Sequence, residues 1–308
     1  MNRDIDDREY YIDYSRDLFD FLIASFQWSG IDSNRLNAWF HNFEEDDNGE
    51  YYACKILNGV IGYSENDMKR MVDDGIERIM HKEAVLPLLK QKNFSVLESE
   101  LEFAFRDKLK RTLFVPLLVN GIPGESSMSI MRIITQRVKP SIQQLFPSEI
   151  PDDYPCDVLI VVDDCIGSGH QFSEFWESAT ISGGKLLSTW CSEHGIHAYY
   201  LCLVAYNQKM NEIQGRYNDI SIVAIEQLTD SHRVFNEGNK EWNSKKEMED
   251  AKACIEKLII DKGVNLFGYE EMDFAVIIHN NIPDWSLPIL HKEKNGWKLL
   301  VERKDSND

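Results

Sequence analysis

The sequence has no run of eighteen apolar residues, which excludes a membrane-spanning helix. None of its six cysteines (54, 156, 165, 191, 202 and 254) forms a Cys-x-x-Cys pair, so neither a zinc site nor a disulfide framework is expected. The opening residues Met1-Asn2-Arg3-Asp4-Ile5-Asp6-Asp7 lack the apolar stretch of a signal peptide and are too acidic for an organelle transit peptide. Together these absences lead us to expect a reduced, cytoplasmic protein. Bases are also scarce: 33 Lys and Arg stand against 52 Asp and Glu, for a formal charge of −19. Residues 1–50 hold 13 acids and 4 bases, or −9 for that stretch alone. Such a surface repels duplex DNA and anionic lipid, so neither is expected as a partner. Solubility is the plain reading of the acidic start, and a basic partner the sharper one. There is no Walker-type Gly-Lys-Ser, no Ser–His–Asp pattern, no internal repeat and no low-complexity linker.

What is present is an ordinary globular composition, 43% hydrophobic and 28% charged over 308 residues. Residues 1–107 read as helical. Ser64-Glu65-Asn66-Asp67 begins one candidate helix, with Met68, Met71, Val72, Ile76, Ile79 and Met80 at helical spacing. Ser95-Val96-Leu97-Glu98 fits a capping box for another. The pattern changes at Leu113. The apolar runs 113–119, 157–162, 197–205 and 219–225 read as strands, with helical stretches at 126–136 and about 173–180. Strands alternating with helices predict an α/β fold with a parallel sheet. Residues 108–235 form its core, and 236–308 a C-terminal extension with a helix near 245–261 and a strand at 274–278.

One loop concentrates the chemistry. Val161-Val162-Asp163-Asp164-Cys165-Ile166-Gly167-Ser168-Gly169-His170-Gln171 carries two adjacent carboxylates at the end of a buried strand, then a glycine-containing turn, then a helix. Ligands of open α/β sheets lie at that end of the strands. Carboxylates can accept hydrogen bonds from sugar hydroxyls, and a helix start approached through glycines favours a phosphate. A ribose 5-phosphate meets both requirements. Cys165, near a helix start and five residues from His170, invites comparison with a nucleophile, but a small filler explains it better.

The segment resembles the 5-phosphoribosyl-1-pyrophosphate (PRPP) loop of type I phosphoribosyltransferases, with Ser168 in place of the first Thr of that loop. Two departures stand out: His170 replaces a usual Gly, and Gln171 the second Thr. The resemblance implies a type I phosphoribosyltransferase core in which Asp163 and Asp164 are catalytic and Cys165, Ile166, Gly167, Ser168, Gly169, His170 and Gln171 hold the 5-phosphate. It also implies a pyrophosphate loop after an earlier strand, where Asn120-Gly121-Ile122-Pro123-Gly124 stands, and a segment within 135–156 that closes over the reacting centre. Arg132, Arg137 and Lys139 are the nearest bases for a departing pyrophosphate. From residue 140 to 184 there is no Lys or Arg but there are eight acids, so a pyrophosphate there needs a cation. Magnesium, arriving with the substrate and assisted by Asp163 and Asp164, is the expected one.

More narrowly, the helical N-terminal region and the tail, with His279-Asn280-Asn281-Ile282-Pro283 and Leu287-Pro288-Ile289-Leu290, resemble phosphoribosyltransferase-like effectors of bacterial defence and toxin–antitoxin loci. That implies a PRPP-dependent glycosyltransferase acting as a toxin, with an antitoxin or defence-system partner protein. His279 and Asn280 are candidates for the acceptor side. The competing expectation is a module of the same fold that senses PRPP or a nucleotide and regulates a partner.

Overall fold

The computed structural model describes residues 3–119, 122–123, 125–137, 143–279 and 281–303. The chain begins with α1 (Arg3–Ala24), α2 (Ser33–Phe40), α3 (Gly49–Asn58) and the short strand β1 (Ile61–Tyr63). Helix α4 (Glu65–Met80) passes through a π-helical turn at His81–Val85 into α5 (Leu86–Gln91), and α6 (Glu98–Lys110) follows. Then come β2 (Thr112–Pro116), β3 (Leu118–Val119), β4 (Ile122–Pro123), α7 (Glu125–Arg137), β5 (Gln143–Gln144) and β6 (Val158–Ile166). Helices α8 (His170–Ser178) and α9 (Leu187–His194) lead to β7 (His197–Tyr206), α10 (Asn207–Arg216) and β8 (Ile220–Leu228). The last elements are α11 (Lys245–Ile259) and β9 (Val276–Ile278). No described helix is long and apolar enough to cross a membrane.

The elements form two compact units, one from Met1–Met68 with Leu228–Asp308, the other from Lys69–Gln227. The second is an α/β unit around a five-stranded sheet of order β5-β2-β6-β7-β8. β2 pairs in parallel with β5 and β6, and β6 in parallel with β7. β6 and β7 are interior strands buried on both faces, and their sequences accordingly run apolar without alternation. Helix α4 buries the stripe Met68, Met71, Val72, Ile76, Ile79 and Met80. Gly75 in the middle of it allows close packing: a Cβ there would lie 2.4 Å from Leu201 Cδ1. In the π-helical turn, Glu83 accepts from the Tyr199 hydroxyl, and its Oε2 lies 2.7 Å from His197 Nδ1.

The first unit joins both ends of the chain. β1 pairs in parallel with β9, Ile61 opposite Val276. The indole N–H groups of Trp39 and Trp297 both donate to the Ile289 carbonyl, at 2.7 and 3.0 Å. Each such bond is worth about 1 kcal/mol net, beyond the larger gain from burying two indoles.

Local details differ from the sequence reading in four places. A strand, β1, stands inside the region read as helical. The strand expected over 113–119 breaks at Leu117, and β3 pairs antiparallel with β4 instead. The helix after the loop starts three residues earlier than expected, at His170. Helix α6 is entered at Leu97 rather than Ser95: Leu97 is extended (ψ 149), and its N–H donates to Glu100 Oε2 at 3.0 Å. Helix α4 begins where the sequence placed it, and Ser64 caps it, with Asp67 N–H donating to Ser64 Oγ at 3.2 Å and Ser64 N–H to Asp67 Oδ2 at 2.9 Å.

Candidate active site

β6 carries its apolar run to the C-terminal edge of the sheet and ends in Asp163, Asp164, Cys165 and Ile166. Asp163 stands opposite Cys202 of β7 and is 4% exposed; Asp164 is 7% exposed. Two neighbouring carboxylates so deeply placed cost stability unless they are engaged. Asp163 is engaged from both sides. Ser126 Oγ, on the first turn of α7, donates to its Oδ1 at 3.1 Å, and the Tyr200 hydroxyl, on β7, to its Oδ2 at 3.4 Å. Burial first, and the Asp164 charge second, hold the Asp163 carboxyl well above the usual carboxylate range, against the pull of its donors. The Tyr200 phenol is raised by its own burial and then by the Asp163 charge, so it remains a donor at neutral pH.

The turn follows at once. Gly169 takes the left-handed conformation (φ 79) and caps α8, with no side chain bonded to the helix start as a cap. A side chain at 169 would be strained, and its Cβ would come 2.3 Å from Ile213 Cδ1. His170 N–H has the Ser168 hydroxyl at 3.4 Å. His170 and Gln171 are exposed, Ser168 and Cys165 half-buried, and Ile166 is buried on the core. The helix start therefore presents backbone N–H groups and the positive end of its dipole next to the carboxylates, a place suited to a phosphate.

β2 and β6 are parallel neighbours with Pro116 opposite Val162, and the Leu117 N–H donates to the Val162 carbonyl at 3.1 Å. The chain leaving β2 thus starts beside the Asp163-Asp164 pair. Ile122 and Pro123 form β4; Asn120, Gly121 and Gly124 lie outside the described residues. Of the three bases singled out, Arg132 is exposed on α7 and Lys139 lies outside the described residues. Arg137, at the far end of α7, is forked onto Asp73, with Nε to Oδ1 at 2.7 Å. At the helical rise it is ~16 Å along the axis from Ser126. Asn280 also lies outside the described residues, and His279 belongs to the first unit, where its N–H donates to the Tyr63 carbonyl at 2.6 Å.

Ser126 and Tyr200 are the two groups that sequence reasoning missed. Ser126 was visible only as a helix start, and Tyr200 only as one more residue of an apolar strand. The parallel register brings Tyr200 to Asp163, and no spacing along the chain encodes it.

No cluster of three or more metal-ligating side chains exists among the described residues. A magnesium caged by protein alone therefore does not fit. One that keeps its waters and the phosphates of a substrate, and needs only one or two carboxylates, fits Asp163 and Asp164.

On this α/β fold a carboxylate pair ends an interior parallel strand, next to the start of α8 at Gly169. The chain belongs to the PRTase-CE family, whose profile matches residues 36–303. None of the curated proteins matches it. Among solved structures it is similar to orotate phosphoribosyltransferase from Aeropyrum pernix, at 17% identity and a TM-score of 0.25 over 40% of this chain and 62% of that one. It is also similar to the AQ2163 protein from Aquifex aeolicus, at 12% identity and a TM-score of 0.27 over 39% of this chain and 56% of that one. The matched region spans less than two thirds of either structure.

Proposed function

We propose that residues 163–171 bind the ribose 5-phosphate part of PRPP and that the protein transfers the phosphoribosyl group, or a related pentosyl group, to an acceptor. The observation that carries this reading is the near-buried Asp163-Asp164 pair at the end of an interior strand, directly beside the helix start capped by left-handed Gly169. A purely structural strand would gain stability by replacing both carboxylates with apolar residues. The 5-phosphate would take the N–H groups of residues 167–171, and the carboxylates the sugar hydroxyls. The pyrophosphate would lie toward residues 120–124. The bond from C1 to the pyrophosphate oxygen breaks and its electron pair leaves with pyrophosphate. The positive charge developing at C1 faces the two carboxylates, which stabilise it. A lone pair of the acceptor then bonds to C1, and the acceptor loses its proton. Magnesium, when bound, would neutralise the leaving pyrophosphate in a stretch that has no Lys or Arg from 140 to 184.

The resemblance of the N-terminal region and the tail to effectors of bacterial defence or toxin–antitoxin systems suggests that setting, with a nucleobase, nucleotide, RNA or protein side chain as acceptor and a partner protein that restrains it. The test is calorimetric titration of PRPP with magnesium into wild type and the Asp163→Asn/Asp164→Asn variant. Saturable binding that the variant loses supports the reading. A folded wild type that binds nothing sinks it. A second reading, a sensor that binds PRPP without turnover, is favoured by His170 and Gln171 in the loop. It predicts binding without release of pyrophosphate, and effects in cells that persist when turnover is undetectable.

A further inference from the structure

Asp163 is where three parts of the site meet. Ser126 belongs to the first turn of α7, immediately after residues 120–124. Tyr200 belongs to β7, and its ring stacks on Phe172 with centroids 4.3 Å apart and planes 11° from parallel. Phe172 is the third residue of α8, the helix that starts at the phosphate loop. Both rings are buried, so the stack has little freedom. The hydroxyls of Ser126 and Tyr200 reach opposite oxygens of one carboxylate. An ionised carboxylate has about four acceptor positions; the two hydroxyls and the Asp164 N–H take three, so one remains for a ligand.

We propose that Ser126 and Tyr200 are positioning residues: together they fix the Asp163 carboxylate relative to the starts of α7 and α8, so that its remaining acceptor position is aimed at one ribose hydroxyl before the sugar phosphate arrives. The inference rests on the reading of residues 163–171 as a ribose 5-phosphate site. Ser126 ties the carboxylate to the pyrophosphate side, and Tyr200, through Phe172, to the 5-phosphate side. A carboxylate held only by its own rotamer would swing among orientations, and each productive hydrogen bond would then carry an ordering cost. The clamp removes that cost, and its effect is specific to the hydroxyl that Asp163 receives.

The experiment uses the full chain and three probes: ribose 5-phosphate, 2-deoxyribose 5-phosphate and 3-deoxyribose 5-phosphate. Affinities are measured for wild type, Ser126→Ala, Ser126→Thr and Tyr200→Phe. The Tyr200→Phe change keeps the stack on Phe172, and near-ultraviolet circular dichroism reports that packing. The clamp predicts that Ser126→Ala and Tyr200→Phe each weaken ribose 5-phosphate about tenfold. They leave one deoxy sugar, the one lacking the hydroxyl that Asp163 receives, within about twofold of its wild-type affinity. Ser126→Thr restores ribose 5-phosphate binding. Equal losses for all three sugars would mean a general structural role and overturn the proposal, as would no loss at all. A wild type that binds none of the sugars, nor PRPP with magnesium, contradicts the site itself, and the clamp falls with it; the two failures are thus distinguishable.

Discussion

The two units bury carboxylates in opposite ways. In the sheet unit, Asp163 is flanked by two donors on separate elements and sits at a strand end where ligands of α/β sheets bind. In the other unit, Asp273 is just as deeply buried, but only its Oδ2 has a partner, the Phe235 N–H at 2.9 Å. Its Oδ1 has none among the described residues. Its backbone is left-handed (φ 58), as are those of the nearby Glu270 and Glu271. Burial pushes its carboxyl up to about 7. The contrast separates a carboxylate that its surroundings hold in place from one that they merely enclose. Burial and a raised pKa are common to both, so neither property alone marks a site. What sets Asp163 apart is its two convergent donors and the helix start that follows it.

The largest effect that would sharpen this contrast is on binding. Asp163→Asn/Asp164→Asn should weaken PRPP with magnesium by about 100-fold or more in calorimetry, since hydrogen bonds to charged groups contribute about 1.5–3 kcal/mol each. The same change at Asp163 should raise stability at neutral pH in chemical denaturation. Because the folded-state value of Asp163 is raised, the wild type loses stability as pH climbs, and the neutral amide removes that loss. A variant that bound PRPP normally would erase the distinction between the two carboxylates.

Next is Asp273→Asn. The contribution of Asp273 is complete below its ordinary value of 3.8 and is lost as pH rises through about 7. The amide should therefore stabilise the protein at pH 8 by on the order of 4 kcal/mol and leave it unchanged at pH 3.5, as read from denaturant midpoints. PRPP binding should not change. Asparagine also tolerates the left-handed backbone, so no new strain is added.

Smaller effects distinguish two left-handed glycines of the sheet unit. Gly169→Ala should cost roughly 2–4 kcal/mol, from the left-handed backbone and from displacement of Ile213, and should weaken binding of the 5-phosphate. Gly195→Ala has the same kind of backbone (φ 66) but open space around it, and should cost only about 1 kcal/mol with binding intact. Equal costs in denaturant melts would contradict the packing of the loop on α10.

The same contrast explains what could be read from the sequence. The sheet unit was legible because its signals are local: uninterrupted apolar runs for β6 and β7, and a whole motif within residues 161–171. The clamp was not legible, because Ser126 and Tyr200 each lie 37 residues from Asp163 and only the strand register brings them together. The other unit was mostly illegible because its contacts are non-local. Trp39 reaches the Ile289 carbonyl 250 residues away, and β1, three residues long, shows no strand period of its own. Trp297 is buried, and nothing along the chain says which carbonyl its indole meets. At α6 the sequence pointed to Ser95 with Glu98 as the capping box, and Glu100 was not singled out. Glu100 answers, because the chain stays extended through Leu97.

A crystal structure with ribose 5-phosphate at saturating concentration decides whether residues 163–171 hold that group. The phosphate is expected on the backbone N–H groups of residues 167–171 and a sugar hydroxyl on Asp163 or Asp164, with Ser126 and Tyr200 still on Asp163. A sugar phosphate bound elsewhere, or a loop left empty at saturation, would contradict it.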